Sequence, residues 1–174
     1  PTLGIHSAVE LVSRFANNYE AMAHLFYVPT FFDYPETKEA MWRESSVQRV
    51  LKLQRQIDVA LFSVGSFQGN RASALYAGNH LTPSDYASMQ AEHVRGDIAN
   101  IMVRDDGSFA DVLLNKRACG PDLSLIQQVN RAICVVSGHN KLAALQAALA
   151  GRYITDLILD EPTAHRLLAA ISNR

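Results

Sequence analysis

The chain is short of cysteine, carries no surplus of charge of either sign and has no long apolar run; each shortage excludes a class of protein. Two cysteines among 174 residues, Cys119 and Cys134, allow at most one bridge and no disulfide framework, a usage that suits a reducing cytosol. Lys plus Arg number 16 against 17 Asp plus Glu, a formal net charge of -1, so the basic excess of a nucleic-acid-binding module is missing. No apolar run reaches the roughly 18 residues of a membrane span, and the N-terminus lacks the basic-then-apolar pattern of a secretory signal. A soluble, cytoplasmic domain with no membrane partner is expected. Hydrophobic residues make up 48% and charged ones 19%, the balance of a globular chain that buries one core. The chain opens at Pro1 without a methionine and runs almost at once into helical periodicity. It is expected to be a piece of something longer, with a partner module upstream.

From Ile5 to Tyr19 the apolar residues Ala8, Leu11, Val12 and Phe15 recur at helical spacing. The aromatic and apolar run Ala23 to Val28, ended by Pro29, reads as a strand. Ser45-Ser46-Val47-Gln48 and Thr82-Pro83-Ser84-Asp85 are capping patterns that open helices. Asp58 to Val64 is a continuous apolar run ending at Gly65-Ser66, as expected of a strand covered on both faces in a parallel sheet. Ile98 to Val103 reads as a strand, with Asp106-Gly107 as a hairpin turn and Val112 to Leu114 in the return. The last third alternates cleanly. A strand at Ala132 to Ser137 precedes a helix at Lys141 to Ala150 stopped by Gly151, with Leu142, Leu145 and Leu149 on its buried stripe. A strand at Ile154 to Leu159 precedes a closing helix with Leu167, Leu168 and Ile171 facing inward. Short connections between alternating strands and helices imply parallel strands and right-handed crossovers. The fold class is α/β, with helices on both faces of a mostly parallel sheet.

In such a sheet, ligands bind outside the carboxyl ends of the strands. That directs attention to Gly65-Ser66, to Gly138-His139-Asn140-Lys141 and to Asp160-Glu161. Gly65 and Gly138 let backbone approach a ligand, and a helix starting near Asn140 aims free N–H groups at an anion that Lys141 would also attract. The same residues equally fit tight turns and a solvated first-turn lysine. Asp97, in Gly96-Asp97-Ile98, could accept sugar hydroxyls, and Arg117 could hold a phosphate in its planar fork. A turn aspartate and a surface arginine are the plainer readings of both. Asp160 is adequately explained as a helix cap. The six histidines (His6, His24, His80, His93, His139, His165) show no spacing for metal ligation. Gly65-Ser66-Phe67 departs from the serine-nucleophile elbow. Neither metal nor cofactor is implied.

Taken in order, DVALFSVGS (Asp58 to Ser66), GDI (Gly96 to Ile98), the N-x-R-x-x-G of Asn115, Arg117 and Gly120, VVSGHNKLAALQAALAGRYI (Val135 to Ile154) and LILDEPTAHRLL (Leu157 to Leu168) form a familiar set. The chain resembles the effector-binding domain of SorC-type bacterial transcriptional regulators, the group of deoxyribonucleoside, central glycolytic and sorbose regulators. The resemblance implies a fold similar to the glucosamine-phosphate deaminase and ribose-phosphate isomerase group. It also implies a phosphorylated sugar as effector, operator DNA contacted by an N-terminal helix-turn-helix outside this chain, and a homo-oligomer. Asp97, Arg117 and Lys141 then look like effector-contacting positions. Two departures stand out: Gly138-His139 replaces the family's usual pair of glycines, and its glycine-and-threonine phosphate loop would lie upstream of Pro1. A sugar-phosphate isomerase or deaminase on the related fold is the alternative reading, with Asp97 and His139 as its acid/base pair.

Overall fold

Short apolar strands between helices build two small sheets rather than one. In the computed structural model, which describes residues 8–67, 74–77 and 80–172, α1 (Ala8–Asn18), α2 (Pro35–Trp42) and α3 (Ser45–Gln54) lead into β1 (Val59–Phe62) and β2 (Val64–Gly65). Next come α4 (Ala74–Ala77), α5 (Pro83–Ala91), β3 (Val94–Ile98), β4 (Ile101–Arg104), a 3-10 turn at Leu113–Lys116 and α6 (Leu123–Ile126). The chain continues through β5 (Arg131–Val136), a 3-10 turn at His139–Lys141, α7 (Leu142–Ala150), β6 (Asp156–Leu159) and α8 (Glu161–Ser172). Strands β1, β5 and β6 form a parallel sheet in that order, and β2, β3 and β4 an antiparallel one. The class is α/β, with the parallel sheet flanked by helices, as the alternating pattern predicts. Residues Ile5 to Ser7 of the predicted first helix lie outside the described residues.

The apolar run at Asp58 to Val64 is not one strand. It breaks at Ser63, where the chain leaves the parallel sheet and enters the antiparallel one: Phe62 pairs with Cys134, but Val64 pairs with Ile98. Nor is the run covered on both faces. Val59 and Leu61 are 52% and 54% exposed, and they share a sheet face with Val135 and Ile158, also exposed. The inner face carries Ala132, Cys134 and Val136, all fully buried.

Helix α7 occupies the centre of the core. Its buried residues are Ala144, Leu145, Ala147 and Ala148, so three alanines bring its backbone close to β3 while Leu142 and Leu149 are only partly covered. In α8, Leu167 is buried, but Leu168 and Ile171 are 63% and 53% exposed, correcting the inward stripe expected from spacing.

Four further local expectations fail. Ala23 to Val28 forms no strand; pairing begins beyond Pro29, where Phe31 bridges Ala118. Ser45 is helical, with Glu44 as the cap residue, and Gln48 Nε2 donates to the Trp42 carbonyl instead of closing a capping box. The stretch Ile98 to Val103 is a hairpin, not a strand: Ala99 and Asn100 take φ 47° and 71° between β3 and β4. The predicted return strand at Val112 to Leu114 is instead part of a 3-10 turn. The second capping pattern forms as read: Thr82 N donates to Asp85 Oδ2 (2.8 Å) and Asp85 N to Thr82 Oγ1 (3.2 Å).

Candidate functional site

The carboxyl ends of the three parallel strands deliver Ser63, Ser137-Gly138 and Asp160 to one edge of the sheet. Gly138 stands at φ 109°, and its N–H donates to Thr163 Oγ1 at 3.0 Å. Ser137 Oγ donates to Asp160 Oδ2 at 3.2 Å. The Thr163 hydroxyl first, then Ser137 and the Gly138 N–H, hold the Asp160 carboxyl below the usual carboxylate range. Asp160 thus ties the start of α8 to the β5 loop, in keeping with the cap reading.

Lys141 closes the 3-10 turn that runs straight into α7. Its own N–H donates to the Gly138 carbonyl at 3.1 Å and that of Leu142 to the His139 carbonyl, so the first N–H of α7 is already engaged, where the sequence predicts free donors. Its Nζ donates to Ser63 Oγ at 3.4 Å, joining the β5 loop to the point where the chain changes sheets. From there its charge reaches Asp97. Asp97 sits inside β3, opposite Gly65 of β2, and is 5% exposed. A Cβ at position 65 would lie 1.9 Å from Asp97 Oδ1, so the carboxylate rests over backbone that only glycine leaves bare. The Tyr76 hydroxyl donates to Asp97 Oδ1 at 2.8 Å and Asn100 N to Oδ2 at 3.1 Å. Ser66, 1% exposed, is buried beside Gly65 in sequence.

Burial pushes the Asp97 carboxyl above its ordinary range, against the lowering by the Tyr76 hydroxyl, the Asn100 N–H and the Lys141 charge. A raised native value means that the folded state binds more protons than the unfolded chain between the two values. Asp97 therefore removes stability as pH rises from the unfolded value through the folded one. Asp97→Asn, which cannot ionise, is expected to lose less stability across that rise than the parent. Urea midpoints measured against pH for both proteins check this, and parallel curves would refute it.

Arg117 has other engagements. Its guanidinium donates to Asp85 Oδ1 and to the Phe32 carbonyl, the latter at 3.2 Å. Burial raises the Asp85 carboxyl, but Thr82 and Arg117 outweigh it and hold the group low. Arg117 is linked to Asp97 only through neighbours: Tyr86, next to Asp85, donates to the Tyr76 carbonyl at 3.1 Å, and Tyr76 donates to Asp97. Asn115 of the same motif is structural. Its side chain accepts from Met102 N at 2.8 Å and donates to Met102 O at 2.9 Å, closing the free edge of β4 as a neighbouring strand would. The structure thus sets Asp97 over Gly65, within reach of the Lys141 charge, and engages Arg117 with Asp85 and Phe32 instead.

Of the residues that carry this geometry, Tyr76 lies in no motif, and Ser63 and Thr163 fall inside DVALFSVGS and LILDEPTAHRLL without being marked there as contacts. Thr163 alone left a signal, a hydroxyl three residues after Asp160 in the first turn of a helix. Cys119 and Cys134 are free and buried, each thiol pushed up to about 11, mainly by burial. His139 is exposed on its turn, while Asp97 is enclosed by Tyr76, Asn100 and Gly65. Among the described residues no acidic, histidine and cysteine cluster has the make-up of a metal site, and no helix is long and apolar enough to cross a membrane.

Residues 3–169 match the family model described as "Putative sugar-binding domain". The chain is 26% identical over 161 residues to the deoxyribonucleoside regulator of Bacillus subtilis (strain 168), covering 92% of this chain and 50% of that protein. It is 26% identical over 153 residues to the sorbitol operon regulator of Klebsiella pneumoniae, covering 88% and 48%. Among solved structures it superposes, with a TM-score of 0.87 and 46% identity, on a domain of "a possible sugar-binding transcriptional regulator" from Arthrobacter aurescens TC1, covering 97% of this chain and 64% of that one. The full-length sorbitol operon regulator SorC of K. pneumoniae shares the fold, with a TM-score of 0.77 and 24% identity over 88% of this chain and 49% of that one. The chain spans about half the length of the curated relatives it matches. Matched to the family model along nearly its whole length and folded like the sugar-binding domains of these regulators, the chain belongs to the sugar-binding domain family of SorC-type bacterial transcriptional regulators.

Proposed function

We propose that the chain is the effector-sensing domain of a bacterial transcriptional regulator, that its effector is a phosphorylated sugar, and that binding is passed to a DNA-binding module outside residues 1–174. One observation carries this reading: the charge of Lys141, bound to Ser63 at the end of β1, acts on a buried carboxylate that lies over the bare backbone of Gly65. An ammonium at the end of a glycine-opened turn suits a phosphate, and a fixed carboxylate suits sugar hydroxyls. Lys141 and the backbone after Gly138 form the anion half of the proposed site, and Asp97, over Gly65 and beside Ser66, the hydroxyl half. Arg117 belongs to its wall, and a phosphate contact from it requires the guanidinium to leave Asp85. Self-association of two such domains would set the spacing of paired DNA-binding heads.

Relatives named as regulators support sensing over catalysis, and the exposure of His139 against the burial of Asp97 favours the same choice. Residues 1–174 are to be incubated with glucose 6-phosphate, fructose 6-phosphate, ribose 5-phosphate and the three parent sugars, then read by thermal shift and by chromatography of the sugars. A bound phosphate ester at 100-fold its Kd adds about 2.7 kcal/mol to stability, and it is recovered unchanged. Conversion of any of them would move the chain to the isomerase or deaminase class, and the absence of any shift would oppose the sensor reading.

A further inference from the structure

We propose that Tyr76 is the positioning residue of the hydroxyl-recognising carboxylate: its phenol, docked on Asp97 Oδ1, fixes the orientation in which Asp97 receives a sugar hydroxyl. The inference rests on the effector-site reading above. Tyr76 is 6% exposed and Asp97 5%, so their 2.8 Å bond is shielded from water. Tyr76 is held on every side that the structure records. Its hydroxyl lies 3.6 Å from Met102 Sδ, its carbonyl accepts from Tyr86, and its ring meets Phe67 edge-on at 5.6 Å. Asp97 is less constrained. It lies over the bare Gly65 backbone, and Asn100 N on Oδ2 is its other recorded donor. Each carboxylate oxygen has two lone pairs, so among the described residues one on each remains for a ligand once Tyr76 and Asn100 are satisfied. Without the phenol, the Asn100 N–H is the recorded donor left to fix the rotation of the carboxylate over Gly65.

Burial and the Asp97 charge hold the Tyr76 phenol protonated far above its ordinary range, so it acts as a donor throughout the working pH range. The other ionisable groups that act on the pair are Lys141, from the turn before α7, and Tyr86, from α5.

Tyr76→Phe, Asp97→Asn and the parent are to be titrated with the six sugars and sugar phosphates named above, across pH, at temperatures well below each protein's melting point. Tyr76→Phe is expected to weaken phosphorylated and parent sugars by the same factor, about tenfold, as befits one charge-assisted hydrogen bond. It also moves the acid limb of binding to higher pH, because a donor to the charged carboxylate is gone; a loss of packing alone would not move that limb. Incorporation of 3-fluorotyrosine at position 76, a stronger donor of nearly the same shape, moves the limb the other way and covers the case in which Tyr76→Phe fails to fold. If Asp97→Asn weakens binding while Tyr76→Phe binds like the parent at every pH, the positioning role is overturned and the site stands. If Asp97→Asn changes nothing, or no sugar binds, the site reading itself falls and this inference with it.

Discussion

Lys141→Ala is expected to weaken a sugar phosphate by about tenfold to a hundredfold, the roughly 1.5–3 kcal/mol of one hydrogen bond to a charged group, and to leave the parent sugar almost unchanged. The asymmetry follows from where the lysine stands. On the proposed reading its ammonium holds the anion, with the backbone of the turn after Gly138 beside it. A neutral hydroxyl has little use for either. Its one recorded hydrogen bond, 3.4 Å to Ser63 Oγ, is long, so the substitution is expected to cost little stability. A complication has a definite sign. The Lys141 charge lowers the Asp97 carboxyl, and removing it lets burial raise that group further. At acid pH the variant would therefore lose part of its hydroxyl recognition as well. Isothermal titration across pH, compared on the alkaline plateau of binding, isolates the phosphate effect. Equal losses for both ligand forms, or none for either, would exclude Lys141 as the anion contact.

The same lysine shows how far local sequence carries and where it stops. From Ala132 onward each segment is delimited by its own chemistry: β-branched residues in β5, alanines and leucines in α7, Gly151 as a stop, and Pro162 in the first turn of α8. Position along the chain therefore placed Lys141 at a strand end and a helix start. Helical spacing did not show which side of α7 faces β3, because alanine is compatible with either face. It likewise misassigned Leu168 and Ile171, which have the spacing of a buried stripe but no layer against them. Asp58 to Val64 reads as one strand because apolar residues suit both sheets; the break at Ser63 comes from the different partners of Phe62 and Val64. The turn at Ala99-Asn100 lacks the glycine that marks most tight hairpins, so two strands look like one. Asp97 was recognisable as a candidate by type, but its junction with Lys141 is made by tertiary packing. Tyr76 lies in a stretch with neither periodicity nor motif, and its role exists only through a contact 21 residues away in the chain.

Gly96→Ala is expected to be strongly destabilising. A Cβ at position 96 would lie 2.2 Å from the Gly65 carbonyl oxygen and 2.5 Å from the Ala144 Cβ. Neither atom belongs to a side chain that can swing away. The first is backbone of β2, paired to β3, and the second sits on the fully buried face of α7. Overpacking a well-filled core typically costs about 1–3 kcal/mol and occasionally more, and a clash with backbone on one side and a packed helix on the other belongs at the upper end. At about 3 kcal/mol the melting temperature of a domain this size falls by roughly 6–12 °C. Gly65→Ala makes the contrasting case. Its Cβ meets the Asp97 carboxylate, a side chain that can rotate, so stability should fall less while affinity for sugars falls more. Adding Ala144→Gly to Gly96→Ala removes the helix contact but not the carbonyl contact, and is expected to restore only part of the lost stability. Urea denaturation of the parent, the single variants and the double variant measures the coupling. Full restoration would mean that α7 alone sets the limit, and no restoration that the β2 carbonyl does. A wild-type melting temperature for Gly96→Ala would contradict the close approach of α7, β2 and β3 on which the placement of Asp97 and Lys141 depends.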